Sequence, residues 1–247
     1  MRKTIFVVIL SGKNYKDSRV LNGMMNKSYA DTDLLIINRG PNPLRFDKDF
    51  IHTLGFCVNN IDIKESIGDL PLGEVCNNVI SKNASYDRFI FCDDDSVLNK
   101  EYIKRLDRYH KQGVDLQIPS IRGRVDGRVY YPIINEAVCK AADGFNINTE
   151  STVKSLGLGL VIYRSLIEKF SARNMGVFDS QFVLNGCDTG FFSRLDLLKT
   201  EKINIAIQVV NSLNYALVQS QGITSKWRAL DKLRDSFLSV KISRFRY

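Results

Sequence analysis

Two acidic features of this 247-residue chain have residue types that do chemistry. The first is Asp93-Asp94-Asp95 in "FIFCDDDSVL" (89–98), where three carboxylates follow an apolar run despite their mutual repulsion. Hard carboxylate oxygens suit a divalent cation, and a cation held by one or two of them keeps positions open for phosphate oxygens. A plainer reading stands beside it, with Asp95 or Ser96 capping a helix over "NKEYIKRL". The second feature is Asp188 in "LNGCDTGFFSRLDLL" (184–198), a turn entering a helix, with the carboxylate near an N-terminus whose dipole favours an anion. The two histidines, His52 and His110, lie far apart and offer little to a His-rich metal site or a Ser-His-Asp triad. Carboxylates must therefore carry any acid–base chemistry.

These residues need elements to position them. "IFVVIL" (5–10), "DLLIINRG" (33–40) and "RFIFCDDD" (88–95) are short apolar runs ending in polar or glycine-containing turns, as buried parallel strands do. Segments 18–30 and 72–86 between them have the length and mixed periodicity of crossover helices, so an α/β domain with a mostly parallel sheet is predicted. Ligands in such sheets bind beyond the carboxyl ends of the strands. The turns at Ser11–Lys13, Asn38–Gly40 and Asp93–Asp95 should then open on one edge. In the second half, 114–132 reads as strands joined at Asp126-Gly127, 139–155 as a polar loop, and 157–170 and 184–198 as further ordered segments. "RGRVDGRVYY" (122–131) is expected to be a solvated hairpin and Phe191-Phe192 to be core. There is no internal repeat, low-complexity tract or clear linker.

With 44% hydrophobic residues and 10% aromatics, the chain has enough apolar material for a filled core. "MRKTIFVVIL" imitates a leader, but its apolar stretch is short and no small-residue cleavage site follows, so a first strand is expected. Cys57, Cys76, Cys92, Cys139 and Cys187 are odd in number, widely spaced and without a CxxC pair, which argues against a disulfide framework or zinc site and for a reducing cytoplasm. The formal net charge is +8, and 226–247 alone carries seven Lys/Arg against two Asp. Trp227, Leu230, Leu233, Phe237 and Val240 recur there at helical spacing, the pattern of a basic amphipathic tail on an anionic membrane surface or of a helix packed on the domain. No apolar run approaches the roughly 20 residues of a membrane span. Nucleic acid is not expected as a partner, because the bases cluster in the tail instead of interleaving with aromatics.

"SYDRFIFCDDDSVLNKEYI" (85–103) resembles the DxD segment of GT-A glycosyltransferases, family 2 type. "LGEVCNNVI" (72–80) stands where that family has its "ARN-x-G" helix. "SLGLGLVIYRSLIEKF" resembles its acceptor-side glycine turn and strand, and "MGVFDSQFVLNGCDTGFFSRL" (175–195) is similar to "G-x-FDE…EDxDxxxR". The resemblance implies a GT-A domain over 1–225, with a nucleotide-sugar-binding half (1–113), an acceptor half (114–225) and an appended tail (226–247). By position it implies Asp95 as ligand of Mn²⁺ or Mg²⁺, and Asp93 and Asp94 at the ribose, the donor sugar or metal-bound water. Ser11, Asn38 and Asn78 would line the nucleotide-sugar, and Asp188 would be the catalytic base. Departures fall at Asn38, Asn77 and Cys187, where the family often has Asp, Arg and Glu, and at Asn214, near a frequent metal-binding His. The implied activity is metal-dependent, non-processive, inverting transfer of a sugar to a glycan or lipid-linked hydroxyl, as in bacterial surface-polysaccharide synthesis. The enzyme would work in the cytoplasm, with the tail as a peripheral contact to the inner face of the membrane. "SKWRAL" (225–230) lacks the upstream Gln of the processive "QxxRW" segment. A sugar-nucleotide-binding protein of the same fold without catalysis is the alternative.

Overall fold

The computed structural model of the chain describes residues 2–25, 29–68, 70–182 and 186–215. Its first half alternates strands and helices: β1 (Thr4–Leu10), α1 (Arg19–Met24), β2 (Tyr29–Asn38), α2 (Lys48–Gly55), β3 (Val58–Glu65), α3 (Leu72–Lys82), β4 (Arg88–Asp93) and α4 (Tyr102–Tyr109). The second half is richer in strands: β5 (Leu116–Gly123), β6 (Val129–Tyr131), β7 (Ile133–Ile134), β8 (Ala137–Val138), β9 (Phe145–Ile147), β10 (Val153–Lys154), β11 (Leu160–Tyr163), α5 (Arg164–Ser171), α6 (Cys187–Thr200) and β12 (Ile207–Tyr215).

Among the described residues a mixed sheet runs β3-β2-β1-β4-β11-β5-β12-β9, with β6 added on β5. β1 is parallel to β2 and to β4, and β2 to β3. β11 reverses between β4 and β5, antiparallel to both, and β12 lies parallel to β5. One edge of the sheet therefore collects the C-terminal ends of β1, β2, β4 and β12 together with the turn that enters β11. This topology decides which distant segments meet.

Strand side chains alternate between two cores, as the pleat requires. Ile5, Val7, Phe89 and Phe91 pack beneath α3, α5 and α6, with Val79, Phe170, Phe191 and Leu195. Phe6, Val8, Ile90 and Cys92 face α1, α2 and α4, with Leu21, Leu54 and Leu106. Burial on both faces explains why β1 and β4 read as continuous apolar runs. Phe191 and Phe192 are buried core residues, and the turn after β5 is solvent-facing.

Several boundaries differ from the sequence reading. β2 starts at Tyr29, and its first half is hidden from a sequence reading because it is irregularly paired, exposes Ala30 and Asp31 and contains no apolar run. The crossover helix expected over 18–30 is correspondingly only Arg19–Met24. β3 escaped detection for a related reason: at the sheet edge, "VNNIDIKE" buries little beyond Val58. α2, over Lys48–Gly55, was likewise not anticipated. The segment read as polar loop at 139–155 holds the short strands β9 and β10. The basic stretch 226–247 lies outside the described residues.

Candidate active site

Three turns form one wall at the shared edge. The register aligns Leu10 with Asn38 and Ile9 with Asp93, so the chain leaves β1, β2 and β4 at one level. Backbone bonds join the turns: Arg39 N–H donates to Leu10 O and Gly12 N–H to Gly40 O, both at 2.9 Å. Gly12 and Gly40 have φ of +74° and +84°, a left-handed backbone that glycine adopts without a Cβ clash. The Ser11 N–H donates to Asp94 Oδ2 at 3.3 Å, and the Arg19 N–H to the Asp94 carbonyl at 2.8 Å. Asp94 thus holds the β1 turn and the start of α1 on the acidic turn.

Asn38 serves this wall from within. It is 1% exposed, its amide donates to Asn42 O and Glu65 Oε2, and its Oδ1 accepts from Gly40 N–H. Glu65, at the end of β3, also accepts from Leu44 N–H. The side chain of Asn38 is therefore committed to shaping the turn. Asn78 is half-buried on α3 and has no hydrogen bond to the three aspartates. Its neighbour Asn77 grips the backbone of Phe178, donating to the carbonyl at 2.8 Å and accepting from the N–H at 3.0 Å.

The three aspartates have separate environments. Asp93 Oδ1 accepts from Ser96 N–H (3.0 Å) and Ser96 Oγ–H (2.6 Å), yet burial and the charges of Asp94 and Asp95 push its carboxyl up to about 6. Burial also raises Asp94, against the opposing charge of Lys13. Asp95 is the more exposed, and its Oδ2 meets the Lys13 ammonium at 2.5 Å, with Asp94 Oδ1 3.5 Å from the same nitrogen. The helix-capping alternative does not hold, since α4 starts at Tyr102 behind Glu101 with no side-chain cap.

Asp188 forms the facing wall, in the first turn of α6. Its carboxylate accepts from the Gly157 N–H in the turn before β11. A Cβ on Gly157 would fall 2.1 Å from Asp188 Oδ1, so any side chain there would force the carboxylate to shift. Burial, reinforced by the charge of Asp93, pushes Asp188 up to about 7 and outweighs the Gly157 bond. Tyr215, at the end of β12, has its phenol raised by burial and then by Asp93, Asp95, Asp188 and Asp94. These carboxylates therefore share one electrostatic neighbourhood.

Ser11, Asn38, Asp93, Asp94, Asp95 and Asp188 are the anticipated residues that this edge gathers, with Asn38 turned inward. Lys13, Gly157 and Tyr215 join them without having been assigned a role from sequence. Lys13 and Gly157 stood in turns already singled out, whereas nothing in the sequence flagged Tyr215. Asn214, beside it, is exposed and bridges to Val97.

The donor set fits a divalent cation in one limited way. Asp94 and Asp95 already converge on a positive centre, the Lys13 ammonium, with the hard oxygens that Mg²⁺ and Mn²⁺ prefer. No group of three or more His, Cys, Asp or Glu side chains among the described residues converges as a metal cage. A cation here would take one or two protein carboxylates and draw its remaining ligands from substrate and water.

No protein-family model and no curated protein matches the chain. Solved structures resemble it in fold. S. aureus TarS 1–349 in complex with UDP aligns with a TM-score of 0.59 at 15% identity, over 86% of this chain and 59% of that one. The mannosyltransferase PcManGT from Pyrobaculum calidifontis, in complex with GDP-Man and Mn²⁺, gives 0.55 at 9% identity, over 98% and 65%. GalNAc-T7 with UDP, GalNAc and Mn²⁺ gives 0.55 at 12%, over 87% and 44%. The chain thus has the GT-A glycosyltransferase fold and spans less than two thirds of the length of each of these neighbours.

Proposed function

We propose that the protein is a metal-dependent, non-processive, inverting glycosyltransferase that moves a sugar from a nucleotide-diphosphate donor to a hydroxyl of a glycan or lipid-linked acceptor. The observation that carries this reading is that the Gly157–Gly159 turn, bonded to the end of β4 through Gly159 N–H and Phe91 O (2.8 Å), lies against the Asp188 carboxylate and so brings Asp188 to the sheet edge of Asp93. The fold neighbours support it, since their crystals hold UDP or GDP-Man, two of them with Mn²⁺.

In this reading the turn after β1 and the wall shaped by Asn38 receive the nucleotide, with Ser11 and Asn78 assigned to the donor. Asp93 and Asp94 face the donor's ribose and sugar, and Asp95 would hold Mn²⁺ or Mg²⁺. When bound, that cation supplies Lewis-acid stabilisation of charge on the diphosphate. Asp188 accepts the proton of the acceptor hydroxyl as its oxygen bonds to the anomeric carbon; the carbon–phosphate-oxygen bond breaks, and its electron pair leaves on the diphosphate. A base titrating near neutrality suits this step, because it is substantially ionised while still binding a proton well. One displacement from the face opposite the leaving group inverts the anomeric centre. No helix among the described residues is long and apolar enough to cross a membrane. Contact with an anionic membrane is proposed for 226–247 on charge alone, and loss of vesicle binding at high salt would support it.

The test is a thermal-shift panel of UDP-, GDP-, dTDP- and CMP-sugars with and without Mn²⁺, followed by product analysis with the stabilising donor. A ligand that binds only the native state raises the melting temperature. Stabilisation by one donor class, enhanced by Mn²⁺, is expected. No shift with any donor would refute the reading. Stabilisation without hydrolysis or transfer across an acceptor panel would favour a binding protein that has lost catalysis.

A further inference from the structure

Lys13 is the residue at this edge whose position the proposed chemistry has not yet used. Its ammonium lies 2.5 Å from Asp95 Oδ2 and 3.5 Å from Asp94 Oδ1, in the place where the donor set would receive a cation. The placement is built in by the backbone. Gly12, at φ +74°, turns the chain directly before Lys13, and its N–H is tied to Gly40 O. The Ser11 N–H is tied to Asp94, so the turn carrying the ammonium is bonded to the turn carrying the carboxylates. The lysine side chain is 39% exposed, which leaves its tip room to swing.

From this arrangement we infer that Lys13 is an exchangeable counter-ion: it neutralises Asp94 and Asp95 before the divalent cation binds, is displaced from Asp95 by that cation, and then binds the phosphates of the donor. The inference rests on the donor reading above and adds to it a residue with two successive partners. The physical case is charge balance. Asp93, Asp94, Asp95 and Asp188 crowd one neighbourhood; hydrogen bonds from Ser96 and Ser11 offset part of the repulsion, and the Lys13 ammonium, in contact with Asp94 and Asp95, adds an opposing charge. A divalent ion at Asp95 doubles the positive charge at that point and repels the ammonium. The diphosphate that reaches the ion brings anionic oxygens to the same place, and these become the next partner for a flexible, strongly hydrated lysine tip.

The two roles predict opposite effects of one substitution. Lys13→Met and Lys13→Gln both remove the charge and keep most of the stem. Without nucleotide, each should bind Mn²⁺ about tenfold more tightly than the wild type, the scale of a coupling between two ligands of one site. With Mn²⁺ saturating, each should bind UDP or GDP, whichever the wild type prefers, about tenfold more weakly, for loss of a charge-assisted contact. Mn²⁺ affinity is read by electron paramagnetic resonance of the free ion, and nucleotide affinity by calorimetry. Unchanged or weaker Mn²⁺ binding in both variants would overturn the exchange. Tighter Mn²⁺ with unchanged nucleotide affinity would overturn the phosphate role and leave Lys13 a counter-ion alone. If Mn²⁺ tightens but neither nucleotide binds the wild type, the donor reading fails while the competition at Asp95 stands.

Discussion

The two sides of the site are built differently. The wall of Ser11, Asn38 and Asp93–Asp95 consists of turns at the ends of adjacent parallel strands, joined by backbone bonds at 2.8–2.9 Å and by the Ser11 N–H bond to the Asp94 carboxylate at 3.3 Å. The wall of Asp188 is assembled from remote pieces: the turn at Gly157, the start of α6 and a loop at Phe178 held by Asn77 of α3. In the first wall strand pairing places the side chains; in the second, tertiary packing does. The charges differ in the same sense. Asp94 and Asp95 have Lys13 as an opposing charge, while Asp188 has the Gly157 N–H as a neutral backbone donor and a like-charged neighbour in Asp93. A paired wall suits holding a charged ligand, and a buried carboxylate with a raised pKa suits taking a proton.

Substitutions on each wall should therefore fail in different ways. The largest effect is expected for Asp95→Ala: transfer falls about 1000-fold or more as Lewis-acid stabilisation of the leaving group is lost. Calorimetry should show that Mn²⁺ no longer improves donor affinity, and retained metal dependence would remove Asp95 as the ligand. Asp188→Asn should lower turnover about 100-fold or more while donor and metal affinity stay near wild type. Turnover near wild type would exclude Asp188 as the base, and lost donor affinity would move it to the binding wall.

A subtler break uses Gly157→Ala. The added Cβ would meet Asp188 Oδ1 at 2.1 Å, so the carboxylate must shift. Turnover should drop about tenfold with donor affinity unchanged, because small misplacements of a reacting group cost rate more than binding. The smallest effect concerns pH. Activity should rise as pH increases through about 7, where Asp188 ionises. Asp93→Asn removes a negative neighbour, so the midpoint should move to lower pH in a kcat/KM profile; a shift upward would contradict the coupling. Folding stability should run the other way. Asp188 keeps its proton in the native state to a higher pH than in the unfolded chain, so its contribution falls as pH rises from about 4 to about 7. Asp188→Asn should accordingly stabilise the protein more at pH 8 than at pH 4.

What the sequence determined by itself is the part written in local pattern. The apolar runs of β1 and β4 end where their turns begin, and alternation with helices implies parallel pairing, so the gathering of Ser11, Asn38 and Asp93–Asp95 follows from the order of residues. The tertiary structure decided what depends on contacts between segments far apart in the chain. It turned Asn38 inward to Glu65 and Gly40, leaving it 1% exposed, where position alone had aimed it at a ligand. It set Lys13 on Asp94 and Asp95, 81 and 82 residues away, and brought Tyr215 from the last described strand into the field of the aspartates. It also reversed β11 beside β4, which carries Gly157 to Asp188 and shields that carboxylate enough to raise it to about 7. Hydrophobic periodicity records which face of an element is buried, but not which distant charge lies beside it. The titration of Asp188 and the occupation of Asp95 by an ammonium are properties of that second kind.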